Sequence, residues 1–93
     1  MWVRIQEVSF SPLSTDEVIS HVRNTAVSRC AGEGYRGFRL LVDRPNGRAL
    51  EVSYWDSEQA LLTDDEGSAK ISGDLPGGIV ERTDWYELAI DAA

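Results

Sequence analysis

One cysteine, one histidine and three prolines are all that this 93-residue chain offers of the residue types that build disulfide frameworks, zinc sites or proline-rich linkers. Cys30 has no partner for an intrachain disulfide, so nothing calls for an oxidising compartment and a reducing cytoplasm is the expected location. It reads as a small buried hydrophobe near a helix end rather than a reactive thiol. No metal site is expected from one histidine and one cysteine, and a Ser-His-Asp triad would have to recruit His21 from the polar side of a helix. No apolar run approaches the ~20 residues that cross a bilayer. The start, MWVRIQEVSF, carries Arg4 and Glu7 and lacks the apolar region and cleavage site of a secretory signal. Neither membrane insertion nor secretion is expected. Positive charge is also scarce: nine basic against sixteen acidic residues give a net charge of -7, which repels phosphate backbones and argues against a nucleic-acid partner.

What is present suffices for one small domain over residues 1–93, with 42% hydrophobic and 27% charged residues serving a single core. Residues 2–10 read as a strand in which Val3 and Ile5 share one parity while Val8 and Phe10 share the other. A bulge, or burial of both faces, would explain the switch. Pro12 ends it, and Ser14-Thr15-Asp16-Glu17 spells a capping box for a helix over about 15–30. Val18, Ile19, Val22, Ala26 and Cys30 give that helix one apolar stripe, and Gly32 and Gly34 stop it.

Phe38, Leu40 and Val42 then alternate with Arg39 and Leu41 as a second strand, and Arg44-Pro45-Asn46-Gly47 predicts a tight hairpin. The return strand carries Leu50, Val52 and Tyr54 on one face, with Ala49, Glu51, Ser53 and Trp55 on the other. Asp56 and Gln59 suit the cap and third position of a second helix, which Gly67 and the run Asp64-Asp65-Glu66 make short or broken over 57–72. After a loop at 74–78, residues 79–90 form a last strand with Tyr86, Leu88 and Ile90 alternating with Trp85, Glu87 and Ala89.

The order strand, helix, strand, strand, helix, strand predicts an α+β, ferredoxin-like βαββαβ fold, with both helices on one face of a four-stranded antiparallel sheet. The second face is expected to carry Leu41, Ala49, Trp55, Trp85 and Ala89 with Arg39, Glu51, Ser53 and Glu87, which is too apolar to stay wet. A second copy of the sheet is the simplest cover, so a homodimer is expected.

Two motifs carry no weight. Gly32-Glu33-Gly34-Tyr35-Arg36-Gly37 spells GxGxxG, but it closes a helix and opens a strand, the reverse of a dinucleotide fingerprint. The acidic triplet at 64–66 lacks the alternating ligands and fixed glycine of a calcium loop and reads as a solvated face.

Taken together, Gly34-Tyr35-Arg36-Gly37-Phe38, Asp43-Arg44-Pro45-Asn46-Gly47-Arg48, Ser53-Tyr54-Trp55-Asp56-Ser57-Glu58 and Trp85-Tyr86-Glu87-Leu88 resemble antibiotic biosynthesis monooxygenase-like domains over nearly the whole chain. The resemblance implies a dimeric α+β barrel with a pocket between sheet and helices of each subunit. Some members oxidise phenols or hydroquinones without metal or flavin, some degrade haem, and many have no established activity. Trp55 matches the family's tryptophan at the strand-to-helix joint. Gln6 stands where the haem-degrading branch carries asparagine. That branch also needs an axial histidine on the second helix, and residues 57–72 contain none, so haem degradation is not expected.

The candidate site residues are therefore Glu51 and Arg39 as catalytic groups, with Trp55, Ser53, Gln6 and Trp85 lining a pocket for a small aromatic or apolar molecule. An indole fills a core well and equally supplies a flat face and a ring N–H to a ligand. Glu51 either pairs with Arg39 across strands at a wet rim, or sits desolvated beside an indole where its pKa rises towards that of a useful base. In the second case the expected chemistry is oxidation of an electron-rich aromatic without a cofactor: Glu51 takes a phenolic proton, Arg39 stabilises the phenolate and Trp55 holds the ring. The alternative is a non-catalytic ligand-binding or dimerisation module.

Overall fold

The computed structural model describes residues 1–29, 33–63 and 77–93, and of residues 26–29 only the backbone. Strand β1 (Trp2–Ser9) leads through a single 3-10 turn (Pro12–Ser14) into helix α1 (Thr15–Arg29). Strands β2 (Tyr35–Asp43) and β3 (Arg48–Trp55) form the hairpin, residues 58–63 are helical and are called α2, and β4 (Ile79–Glu87) completes the sheet. The order β2-β3-β1-β4, antiparallel throughout, is the ferredoxin-like arrangement. The readings of Cys30, Gly32, the acidic run at 64–66 and the loop at 74–76 lie outside the described residues.

Helix α1 begins directly on the 3-10 turn. The Thr15 hydroxyl donates to the Pro12 carbonyl at 2.7 Å, so the turn, not the capping box expected at Ser14, leads the chain into the helix. Asp16 and Glu17 in the first turn suit the positive end of the helix dipole. At the hairpin, Gly47 takes φ +61° and its N–H closes the turn on the Arg44 carbonyl at 3.3 Å. Its own carbonyl accepts from the Phe10 N–H at 2.8 Å, which ties the hairpin tip to the end of β1.

The parity switch in β1 has the second of its two explanations. Pairing between β1 and β3 runs unbroken from Trp2↔Trp55 to Ser9↔Arg48. The irregularity lies in β4, where Glu81 is the extra residue between the pairs Glu7↔Arg82 and Val8↔Val80, and the Ser9 hydroxyl reaches its carboxylate at 2.6 Å. Val3 is buried on one face, while Arg4, Gln6, Val8 and Phe10 are buried on the other.

The register reverses one expectation. Val8, Phe10 and Ala49 form the core with Val18 and Val22 of α1, and Phe38, Leu40 and Val42 pack against it. The helix-facing surface of β3 is therefore Ala49, Glu51, Ser53 and Trp55, and Leu50, Val52 and Tyr54 lie on the open face. Apolar content alone favours the opposite choice, and a polar cluster held under the helices defeats it. Trp85, opposite Arg4, is likewise on the helix-facing side, whereas Tyr86, opposite Val3, is on the open one. β4 stops at Glu87 instead of running to 90, although the Leu88 N–H still donates to the Met1 carbonyl at 2.9 Å.

Candidate functional site between sheet and helices

Read across the sheet from β4 to β2, the helix-facing surface changes character row by row. At the hairpin end stand Val80, Val8, Ala49 and Val42. The next rows are Thr83, Gln6, Glu51 and Leu40, then Trp85, Arg4, Ser53 and Phe38, and finally Glu87, Trp2, Trp55 and Tyr35. One end is a hydrocarbon core; the other puts a guanidinium, a carboxylate, an amide and a hydroxyl beneath the helical side. Their burial is nearly complete: Arg4 1% exposed, Ser53 2%, Glu51 4% and Gln6 5%, with Trp55 at 1%. Burying charge costs far more than burying Leu or Val of similar volume. A domain this small would not hold these groups for stability alone.

The Trp55 indole is fixed on several sides. Its ring N–H donates to the Ser53 hydroxyl at 2.9 Å, the Arg4 guanidinium lies 5.5 Å from the ring centroid, and the Tyr35 ring meets it at 5.3 Å and 80°. The first contact satisfies a buried donor, the second sets a cation against a π system, and the third is the edge-to-face geometry aromatic pairs prefer. Gln6 reaches across to β4, its amide donating to the Thr83 hydroxyl at 3.4 Å.

Beside this cluster a cavity of about 550 Å³ opens between the α1–β2 turn and the start of α2, lined by Glu33, Gly34, Trp55, Asp56, Gln59 and Thr63 among others. That volume is ample for a small aromatic molecule. Its two walls are tied together by the Asp56 N–H, which donates to the Gly34 carbonyl at 2.8 Å, and by a two-point pairing of the Arg36 guanidinium with the Asp56 carboxylate, Nη2 to Oδ2 at 2.6 Å. The hydrogen bond from Arg36, with its charge, holds the Asp56 carboxyl below its ordinary range and raises the Arg36 guanidinium in turn. α2 opens with the Ser57 hydroxyl accepting from the Ala60 N–H at 3.1 Å, so Ser57 rather than Asp56 serves as its cap.

Of the residues expected at the site, the fold gathers Glu51, Ser53, Trp55, Gln6 and Trp85 on one surface, with Trp85 at its exposed margin. Arg39 is not among them. It stands opposite Val52 on the open face, where its guanidinium donates to the Tyr54 hydroxyl at 3.1 Å and lies 5.4 Å from that ring. The sheet therefore separates Arg39 from Glu51 within one chain. The inward cation is Arg4, missed because Val3 and Ile5 suggest that odd positions of β1 face the core. Parity with Val8 and Phe10 was the signal that points to it. Tyr35 was missed as well, because nothing but Gly37 hints at the irregularity that turns it inward. His21 is half-buried, not outward-facing, and its Nε2 is shielded without a hydrogen-bond partner among the described residues. No group of three or more potential metal ligands occurs among the described residues, and no helix there is long and apolar enough to cross a membrane.

No family model matches the sequence. The chain is 33% identical over 72 residues, 76% of its length, to the uncharacterized protein Rv2558 of Mycobacterium tuberculosis, and it spans about 30% of that relative's length. Among solved structures, the heme-degrader MhuD of M. tuberculosis, with two hemes bound in its active site, superposes over 100% of both chains with a TM-score of 0.81 at 19% identity. SnoaB, a cofactor-independent oxygenase from Streptomyces nogalater, covers 97% of this chain and 94% of its own with a TM-score of 0.73 at 13% identity. A Deinococcus radiodurans protein provisionally named an antibiotic biosynthesis monooxygenase covers 100% of this chain and 97% of its own with a TM-score of 0.75 at 15% identity. The chain thus shares the fold of these structures, a monooxygenase of antibiotic biosynthesis by name among them.

Proposed function

We propose that this domain binds a small aromatic molecule against the helix-facing surface of its sheet and oxidises it with dioxygen, without a metal or flavin, as a homodimer closed through the open sheet face. The observation that carries the reading is the buried row of Arg4, Ser53 and Trp55 beside Glu51, charged where the fold needs only hydrocarbon and joined through Trp55 to the wall of the cavity. A carboxylate and a guanidinium on one desolvated surface suit removal of a phenolic proton and stabilisation of the phenolate. In this reading Glu51 takes the proton and Arg4 fills the role first expected of Arg39. The phenolate supplies the electrons: one atom of dioxygen ends on a ring carbon that loses its hydrogen, the other leaves as water, and a phenol becomes a quinone. The likeness to SnoaB, a cofactor-independent oxygenase, supports this chemistry. MhuD shares the fold and binds heme, but a haem ligand is not proposed here, because residues 57–72 contain no histidine.

The open face offers Leu41, Leu50, Val52, Tyr54 and Tyr86 around Arg39, an apolar surface that a second sheet would cover. Sedimentation should show a dimer that Leu41→Arg dissociates. Oxygen uptake with a panel of phenols and hydroquinones tests the chemistry. Turnover is expected for the native protein and a loss of at least a hundredfold in Glu51→Gln. Binding without oxygen uptake, in native protein and variant alike, would instead favour a non-catalytic ligand-binding module.

A further inference from the structure

We propose that Tyr35 is a positioning residue of this site, carried into place by a one-residue bulge at Arg36 that Asp56 locks, and that this device sets the orientation of the Trp55 indole at the cavity wall. The inference rests on the reading of that surface as a ligand site and names the element that shapes it. The β2–β3 ladder runs regularly from Asp43↔Arg48 to Gly37↔Tyr54, then passes to Tyr35↔Trp55, leaving Arg36 as the extra residue. In a regular ladder Arg36 would stand opposite Trp55 and deliver a second guanidinium to an indole already facing Arg4. The bulge substitutes an aromatic ring for that charge.

Three features hold the irregularity. Gly37 adopts φ +146°, a backbone conformation that side-chain-bearing residues rarely take, and it has open space around it, so conformation and not crowding calls for glycine there. Arg36, turned aside, grips Asp56 at two points, and the Asp56 N–H takes the Gly34 carbonyl. Gly34 itself, at φ +80°, rests so close on α2 that a Cβ there would fall 2.6 Å from the Ala60 Cβ. Bulges on edge strands commonly re-aim a side chain next to a functional site, and β2 is an edge strand. Gly34 thus lines one wall of the cavity, and Tyr35, next to it in the chain, presses a ring against the tryptophan of the other.

The test uses a parent protein with Trp2→Phe and Trp85→Phe, in which Trp55 is the sole tryptophan. Tyr35→Leu and Asp56→Asn should each at least halve the near-ultraviolet circular dichroism of Trp55 and double its quenching by acrylamide, with the far-ultraviolet spectrum unchanged. Both should weaken binding of 1-naphthol severalfold, and Tyr35→Phe should restore all three signals. Should Tyr35→Leu fail to fold, Arg36→Gln releases the same lock from the exposed side and carries the same expectation. Lower urea resistance with unaltered Trp55 spectra and naphthol affinity would mark a merely structural bulge and overturn the proposal. Native protein that never binds naphthol, with the spectral changes still seen in the single-tryptophan variants, would leave the positioning intact and remove the ligand site.

Discussion

Arg4 and Glu51 make the sharpest test of how this domain tolerates charge beneath its helices. The two occupy diagonal positions on one surface, Arg4 opposite Ser53 and Glu51 opposite Gln6, at 1% and 4% exposure. Removing one of two buried opposite charges leaves the other uncompensated in a medium of low dielectric, at a cost of about 3–5 kcal/mol. A domain of this size holds a total of roughly 5–15 kcal/mol, so Arg4→Met or Glu51→Gln alone should forfeit a large part of it. The double variant removes both charges and should recover about 2 kcal/mol or more relative to the sum of the singles. Urea denaturation at constant slope reads these values, and salt should change them little, because buried charges are poorly screened. Single variants that add to within about 0.5 kcal/mol would show that the two charges do not offset each other and would refute the reasoning. If the double variant is folded yet inert in oxygen uptake, the charges serve the site and not the fold.

Three further outcomes follow from the hairpin and its strands. A Cβ on Gly47 would fall 2.1 Å from the Phe10 carbonyl oxygen, so Gly47→Ala adds left-handed strain to the loss of the Phe10 N–H bond and should cost about 2–4 kcal/mol in urea denaturation. Gly37→Ala, which meets nothing within 4 Å, should cost less, about 1–3 kcal/mol from backbone strain alone. The Asp43 carboxyl is held below its ordinary value of 3.8 first by the Asn46 amide and then by Arg48. Its contribution is full above that ordinary value and disappears as pH falls through the lowered folded value. Asp43→Asn should therefore reduce stability at neutral pH and flatten the acid limb of a stability profile below about pH 4.

Strand order, the hairpin and the αββ rhythm were legible in the sequence because they rest on local chemistry: Pro45 and Gly47 can make little but a turn, and Phe38, Leu40 and Val42 alternate cleanly. The face assignment failed where function and burial part company. On β3, Leu50, Val52 and Tyr54 are the more apolar set, yet Ala49, Glu51, Ser53 and Trp55 go inward, where Arg4 and Gln6 share their surface and the Ser53 hydroxyl accepts from the Trp55 indole. Sequences break the hydrophobic pattern chiefly at functional sites, so the misassigned strand is itself a pointer to the site. Arg39 looked like a partner of Glu51 only while both were placed on one face. Tyr35 was hidden by a bulge that composition does not announce.

The central claim is that ligand chemistry belongs to the helix-facing surface. A titration of isotope-labelled protein with 1-naphthol, followed by nuclear magnetic resonance, tests it most directly. The account predicts shifts in the Trp55 indole N–H and the backbone amides of Arg4, Gly34, Tyr35 and Ala60, with Arg39, Leu41 and Val52 unmoved. Shifts confined to Arg39, Leu41, Val52 and Tyr86 on the open face would contradict it.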